Sequence, residues 1–190
     1  MTTPPTLETA RLKLRPYTDD DVAEVLPLIG TREVAATTLR IAHPYTENDA
    51  KGFLALTRDP DKLWLAITLR TDGRQIGGIG LRLDEQHQHA ELGYWLGIPY
   101  WGKGYATEAA REMMRYGFEH LHLHRIFASH FKHNPASGKI LTKLGMRHEG
   151  CQREHLRKWD QFVDSELYGI LRREWDVHKQ AGDVPGKNRE

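Results

Sequence analysis

The sequence predicts a single α/β domain with one mixed, mostly antiparallel sheet of about seven strands and flanking helices. Three observations support this fold class. The chain of 190 residues has the size of one domain with a substantial core. Apolar residues alternate over 63–96 with a turn signal among them, which is typical of a β-meander. A helical pattern at 105–120 then separates two strand patterns, which predicts a crossover helix.

The amino-terminal part of the chain begins with a strand pattern and continues with helix signals. Residues 11–15 alternate in polarity and predict the first strand. Thr18 and the three aspartates after it predict a helix start, and Pro27 is expected to end or kink that helix. Thr46 and Asp49 have the spacing of a capping box, which predicts another helix.

Six further strand patterns follow in the rest of the chain. They occupy 63–69, 75–83, 89–96, 125–131, 147–156 and 162–171. Asp72-Gly73 predicts a hairpin turn between the first two of them. Asn134-Pro135 predicts a helix with asparagine as its N-cap and proline at its first position, and Gly145 is expected to end it.

Charge and composition exclude several classes of protein. The formal net charge is +1, which predicts neither a nucleic-acid partner nor a membrane-surface partner. Cys151 is the single cysteine, so an internal disulfide framework is excluded and a reducing compartment is expected. No apolar run approaches the roughly 18 residues of a membrane span, and the start of the chain lacks a signal-peptide core. We therefore expect a cytoplasmic protein with one domain over 1–178 and a polar tail over 179–190.

A glycine-rich loop, Gly102-Lys103-Gly104, stands between the strand pattern that stops at Pro99 and the helix that begins near Tyr105. Such a loop brings free backbone N–H groups to the positive end of a helix dipole, which suits a phosphate group. Thr107 takes the place of the third glycine of a dinucleotide fingerprint, and the P-loop pattern is absent. The loop by itself leaves two interpretations open, a phosphate site or a structural strand–helix turn.

The stretch 101–106, Trp-Gly-Lys-Gly-Tyr-Ala, resembles the acetyl-CoA motif Gln/Arg-x-x-Gly-x-Gly/Ala of the GNAT superfamily of N-acetyltransferases. The stretches 91–96, 107–109, 134–137 and 144–146 are similar to its RimJ/RimL-like branch of ribosomal-protein alanine acetyltransferases. The resemblance covers about residues 7–177 of the chain. Trp101 stands where the superfamily often has Gln or Arg, a departure that should not impair binding through the backbone.

The resemblance implies a GNAT fold and the transfer of an acetyl group from acetyl-CoA to a primary amine in a direct ternary complex. Main-chain groups near Leu96 and Ile98 would bind the pantetheine arm between two splayed strands, and one N–H would hold the oxyanion. The N–H groups of 102–107 would hold the pyrophosphate, and Asn134 would contact the coenzyme from the next helix. The coenzyme-binding residues implied are Leu96, Ile98, Trp101, Gly102, Lys103, Gly104, Tyr105, Ala106, Thr107, Asn134 and Ser137.

Two side chains are candidates for acid–base chemistry. Acetyl transfer requires a neutral amine, and Glu91 is the candidate base because related enzymes place a glutamate in this strand. A solvated carboxylate at a strand end is the alternative for Glu91. Leu141 occupies the place where many family members have a tyrosine, and Ser137 is the substitute proton donor that the resemblance implies. A hydroxyl that only binds the coenzyme is the alternative for Ser137.

The acceptor is open at this stage. A protein N-terminal amine is favoured by the resemblance, and a polyamine, amino acid or aminoglycoside is the alternative. A non-catalytic acyl-CoA-binding module and a nucleotide-binding protein represent other classes of function. His120, His122 and His124 lack neighbours at metal-ligand spacing, so no metal is expected. Homodimerisation through the late strands stays open.

Some remaining residues are interpreted as packing or as parts of the acceptor site. Trp64, Trp95 and Trp159 are expected to pack on the sheet or to edge the substrate groove. Family analogy places the segment 30–48 near the acceptor, and Cys151 is interpreted as a small strand residue and not a nucleophile.

Overall fold

The computed structural model describes residues 4–57, 59 and 62–180. The strands of this part are β1 (Leu7–Glu8), β2 (Leu12–Pro16), β3 (Lys62–Leu69), β4 (Gln75–Asp84), β5 (His89–Leu96), β6 (Arg125–Phe131), β7 (Arg147–Lys158) and β8 (Gln161–Leu171). Its helices are α1 (Asp21–Ile29), α2 (Arg32–Ala36), α3 (Glu47–Leu56), α4 (Tyr105–Glu119), α5 (Pro135–Lys143) and α6 (Arg172–Gln180). A short 3₁₀ turn covers Ile98–Tyr100.

All eight described strands form one sheet, in the order β1-β2-β3-β4-β5-β6-β8-β7. Every neighbouring pair is antiparallel except β5 and β6, which are parallel and are joined by the crossover helix α4. This confirms the mixed, mostly antiparallel sheet. The strand that the sequence analysis missed is β1, because two residues are too short to show an alternating pattern.

The parallel pair β5 and β6 opens along its length. The two strands pair over three residues each, from His89 with Arg125 to Glu91 with Phe127. The remaining residues of β5, up to Leu96, continue to pair with β4 alone. A gap therefore divides the middle of the sheet beyond Glu91.

Helices cover both faces of the sheet. On one face α4 buries the predicted stripe, which consists of Ala106, Ala109, Ala110, Met113 and Gly117. Its small residues allow close approach, since a Cβ on Gly117 would lie 2.9 Å from Cδ1 of Ile126. On the other face Val25, Ile29 and Val34 of α1 and α2 form a second cluster, against which Trp95 of β5 packs.

Local signals around the helices are confirmed in most places. The Thr46–Asp49 capping box is present, and the Asn134 side chain accepts a hydrogen bond from the Ser137 N–H at 3.4 Å. Gly145 has a φ of 82° just after α5, as expected of a residue that ends a helix. None of the helices in the described part combines the length and the apolar character needed to cross a membrane.

The expectation that α1 ends at Pro27 was wrong, and a kink at this residue stays a prediction. Helix α1 runs through Pro27 to Ile29, and the Gly30 N–H bonds the Leu26 carbonyl at 3.0 Å, since a proline near the end of a helix removes only one N–H donor. The carboxyl-terminal helix α6 extends to Gln180 and so enters the segment predicted as a tail. It is anchored by Trp175, which is buried and stacks on Phe118. Residues 181–190 lie outside the described part, and the domain boundary stays a prediction.

Candidate active site

A groove of about 950 Å³ crosses the sheet at the gap between β5 and β6. On one face its wall includes Tyr94, Ala106 and Ser137, which belong to β5, α4 and α5. On the opposite face its wall includes Val34 and Trp95, which belong to the cluster formed by α1 and α2. The groove thus connects the two faces of the sheet through the place where the strands part.

The glycine-rich loop forms one end of this groove. Gly102 and Gly104 have φ angles of 72° and 81°, a left-handed backbone that glycine adopts without strain. The first helical hydrogen bond of α4 runs from the Glu108 N–H to the Gly104 carbonyl at 3.0 Å. The N–H groups at the start of the helix lie ahead of this bond and have no intrahelical acceptor. They can bind an anion.

An arginine from the amino terminus braces the loop. The Arg11 Nε and backbone N–H donate to the Glu108 carboxylate at 2.7 and 2.8 Å, and Nη1 donates to the Lys103 carbonyl at 3.1 Å. Burial raises the pKa of Glu108, but hydrogen bonds from Thr9 and Arg11 outweigh it and lower the pKa overall. The guanidinium also lies 4.5 Å from the centre of the Tyr105 ring. Sequence reasoning missed this contact because 97 residues separate Arg11 from Glu108.

Trp101 connects the glycine-rich loop to the strand that precedes it. Its Nε1 donates a hydrogen bond to the Leu96 carbonyl at 2.7 Å, which ties the loop to the end of β5. Most of the implied coenzyme-binding residues line the groove. They are Leu96, Trp101, Gly102, Gly104, Tyr105, Ala106, Thr107, Asn134 and Ser137. Ile98 and Lys103 are exposed and are not among the described residues that line it.

Ser137 lies in the groove with a partner that the sequence analysis did not identify. Its Oγ is 2.8 Å from the hydroxyl oxygen of Tyr94, which projects from β5. Burial raises the pKa of Tyr94 to about 12, although the hydrogen bond with Ser137 opposes this shift. Leu141, in contrast, is fully buried in the main core. A phenol from the neighbouring strand therefore reaches the hydroxyl that the resemblance implied as a proton donor.

Glu91 lies in the groove wall at the point where β5 and β6 part. Its carboxylate forms an ion pair with Arg82, its neighbour across the β4–β5 ladder. Burial lowers the pKa of Arg82, and the nearby charge of Arg40 lowers it further. The Glu91 side chain is partly exposed at the groove wall and is held in place by Arg82.

The segment 37–42 forms the outer wall of the groove on the α1–α3 side, and its place beside an acceptor stays a prediction. A buried lysine holds it, since Lys158 Nζ donates to the Ile41 and Leu39 carbonyls at 2.7 and 3.3 Å. Burial lowers the pKa of Lys158. Trp64 and Trp95 line the groove as expected, whereas Trp159 is exposed and outside this wall.

Metal-ligand side chains approach one another away from the groove. Within the described residues, Asp84, His87 and His89 bring ligand atoms within 4.8 Å at the β4–β5 turn. The Asp84 carboxylate is already bonded by the His87 N–H at 3.0 Å. The predicted absence of a metal stays a prediction.

Residues 11–147 match the model of the acetyltransferase (GNAT) domain family. The chain belongs to this family. It is an N-acetyltransferase, and GNAT acetyltransferases use acetyl-CoA. The loop of 102–107, with its free N–H groups and the Arg11 guanidinium, suits the anionic end of that substrate.

This GNAT enzyme is similar in sequence or in fold to three acetyltransferases. It is 31% identical over 173 residues to the uncharacterised N-acetyltransferase YoaA of Bacillus subtilis, covering 88% of this chain and 97% of the relative. It is 36% identical over 84 residues to the ribosomal protein uS5 alanine N-acetyltransferase of Escherichia coli, covering 44% of this chain and 43% of the relative. Spermidine N-acetyltransferase of Vibrio cholerae, solved with CoA and spermine, has the same fold. Its TM-score is 0.78 at 20% identity, covering 88% of this chain and 99% of that one.

Proposed function

We propose that this GNAT enzyme acetylates the N-terminal amine of a protein in a direct ternary complex with acetyl-CoA. The observation that carries the proposal is the groove that crosses the sheet between β5 and β6. It lets the coenzyme approach from the α4–α5 face and the acceptor from the α1–α3 face. The two substrates then meet at the gap, and no covalent enzyme intermediate is required.

The α4–α5 side of the groove is assigned to the coenzyme. Backbone N–H groups of 102–107 hold the pyrophosphate, and main-chain groups at the end of β5, near Leu96, bind the pantetheine arm. Lys139 and Lys143 of α5 line the same side and add positive charge near an anionic ligand. Asn134 borders this side at the start of α5.

The chemistry is assigned to Glu91 and Ser137. Glu91 accepts a proton from the acceptor amine, directly or through water, while the amine nitrogen forms a bond to the acetyl carbon. The carbon–sulfur bond breaks, and Ser137 donates a proton to the departing thiolate. Tyr94 holds the Ser137 hydroxyl at 2.8 Å and so orients it toward the gap.

The charges on the acceptor side favour a protein N-terminus over a polyamine. Arg40, Lys62 and Arg82 line this side, against the carboxylates of Asp49 and Glu91. Asp49 is bound within its capping box, Glu91 is paired with Arg82, and Lys62 is paired with Asp59, so the described carboxylates of this side are already engaged and a polycation gains little here. The E. coli relative, named for its action on an alanine of a ribosomal protein, supports the same choice.

Release of free thiol from acetyl-CoA tests the proposal against a panel of amines. We expect turnover with peptides that have a free N-terminus, none with the same peptides blocked at that amine, and weaker turnover with spermidine. Faster turnover with spermidine would favour the small-amine alternative. Binding of acetyl-CoA without turnover on any amine would identify a non-catalytic module.

A further inference from the structure

Side chains on the acceptor face of the central sheet are arranged in three rows across β3, β4 and β5. The register places residues of the three strands side by side, and each row contributes to the same face. The rows are Lys62–Arg82–Glu91, Trp64–Gly80–Gly93 and Ala66–Gly78–Trp95. The middle row contains one large side chain and two glycines. It lies next to the row that contains the candidate base.

Trp64 lies flat on the glycines of its row. A Cβ on Gly80 would lie 2.1 Å from Cε3 of Trp64, so no other residue fits beneath the indole without displacing it. A Cβ on Gly93 would lie 3.7 Å from Cη2 of the same ring. The indole therefore extends from β3 across β4 to β5. Its far edge ends at Gly93, where β5 borders the gap beside β6.

Further aromatic rings stand around this indole. Phe53 of α3 meets Trp64 edge to face, with centroids 5.9 Å apart, and meets Tyr17 in the same way at 5.2 Å. Trp95 projects from the next row of the sheet. All four side chains are partly exposed and all line the groove, so part of this aromatic surface is accessible to a ligand.

Charge decides which kind of ligand suits these rings. Aromatic faces bind cations as well as apolar groups. Arg82 flanks Trp64 in the neighbouring row and is paired with Glu91, and Lys62 precedes Trp64 by two residues and is paired with Asp59. An ammonium group on the indole would have to compete with these cations for their carboxylates, and it would meet the charge of Arg40, which lines the same groove. An apolar group has no such penalty and removes apolar surface from water.

We propose that Trp64 is the floor of a subsite for the apolar side chain of the residue whose amine is acetylated. The inference rests on the proposed function and adds to it the acceptor's first side chain. With the amine at the gap beside Glu91, that side chain lies on the indole next to Gly93. Phe53 bounds the subsite on the α3 side.

Five peptides that differ only in their first residue, Leu, Phe, Ala, Asp or Lys, test the subsite. We expect kcat/KM for the Leu and Phe peptides to exceed that for the Asp and Lys peptides by about tenfold or more. Trp64→Ala should reduce this ratio to near one and leave the Kd for acetyl-CoA unchanged, whereas Trp64→Phe should keep most of it. Trp159→Ala, which changes an exposed tryptophan outside the groove, should keep the full ratio.

Two results would overturn the subsite. One is a wild-type preference for the Lys or Asp peptide, and the other is an equal loss on all peptides in both Trp64 variants. If no peptide is acetylated, the protein acceptor is wrong, and the subsite is then tested with phenethylamine against ethylenediamine. A preference for phenethylamine that Trp64→Ala removes would support it, and the opposite preference would refute it.

Discussion

The hydroxyl oxygens of Tyr94 and Ser137 lie 2.8 Å apart, although the two residues are 43 positions apart in the chain. Tyr94 belongs to the strand that borders the gap, and Ser137 belongs to the first turn of α5. Leu141 has no acidic proton to donate, whereas both hydroxyls of this pair line the groove at the wall assigned to the coenzyme. The two members of the pair should therefore act together.

Removing either hydroxyl should lower kcat. Removing both should lower kcat little further than removing the Ser137 hydroxyl alone. We expect Ser137→Ala to lower kcat by about 100-fold and Tyr94→Phe by about tenfold, with the double variant close to Ser137→Ala. Single-turnover and steady-state rates measure this coupling. Tyr116→Phe is the control, because Tyr116 stacks on His120 outside the groove. Additive losses would mean that the two hydroxyls work independently.

The buried phenol also predicts how stability depends on alkaline pH. Burial raises the pKa of Tyr94 to about 12, against an ordinary value of 10.0. The folded state therefore keeps a proton that the unfolded chain releases, and this stabilisation is lost as pH rises from 10 to 12. Tyr94→Phe should lose less unfolding free energy than the wild type between pH 9 and 11, by about 1 kcal/mol. Denaturant titrations of both proteins at pH 9 and pH 11 give this difference. An equal loss of unfolding free energy in the two proteins would contradict the raised pKa of Tyr94.

Glu91 should control the acid limb of the activity profile. Glu91→Gln keeps the shape of the side chain but cannot accept the proton of the amine, so we expect kcat to fall by about 100-fold. The rise of kcat/KM with pH should change its shape in the variant. Glu85→Gln, which alters an exposed carboxylate at the β4–β5 turn, is the matched control. An unchanged pH profile in Glu91→Gln would remove this residue from the mechanism.

Arg11 should matter for coenzyme affinity more than for the chemical step. Its contacts with Glu108 and the Lys103 carbonyl hold the loop that we propose as the pyrophosphate site. We expect Arg11→Ala to raise the KM for acetyl-CoA by about tenfold, with kcat within about twofold of the wild type. Arg173→Ala removes an exposed arginine of α6 and serves as the control. A selective fall in kcat would argue against a role in binding.

Alanine substitutions at two glycines with similar φ angles distinguish an effect on acetyl-CoA binding from an effect on folding stability. Gly104 has a φ of 81° in the loop, and Gly73 has a φ of 73° in the β3–β4 turn. Alanine at either position should cost about 1–2 kcal/mol of folding free energy through backbone strain. Gly104→Ala should also weaken acetyl-CoA binding, whereas Gly73→Ala should leave it unchanged. Calorimetric titration with acetyl-CoA distinguishes the two variants. Equal affinities of Gly104→Ala and Gly73→Ala for acetyl-CoA would contradict an anion site at 102–107.

The sequence by itself determined the local elements. Strand patterns, the Thr46–Asp49 capping box, the Asn134 cap and the glycines of the loop depend on residues a few positions apart, so their spacing is readable along the chain. One error came from applying a local rule too strictly, since helix α1 runs through Pro27 near its end. The stacking of Trp175 on Phe118, which anchors α6, is a tertiary contact that the local pattern does not show.

Only the tertiary structure decided which distant side chains meet in the groove. Alternation along a strand tells which residues share a face, but it does not tell which residue of the next strand stands beside them. The register set Arg82 against Glu91 and laid Trp64 over Gly80. The packing of α4 and α5 on the sheet brought Arg11 to Glu108 and Tyr94 to Ser137. These contacts depend on strand order and helix placement, which are properties of the whole chain and not of any segment of it.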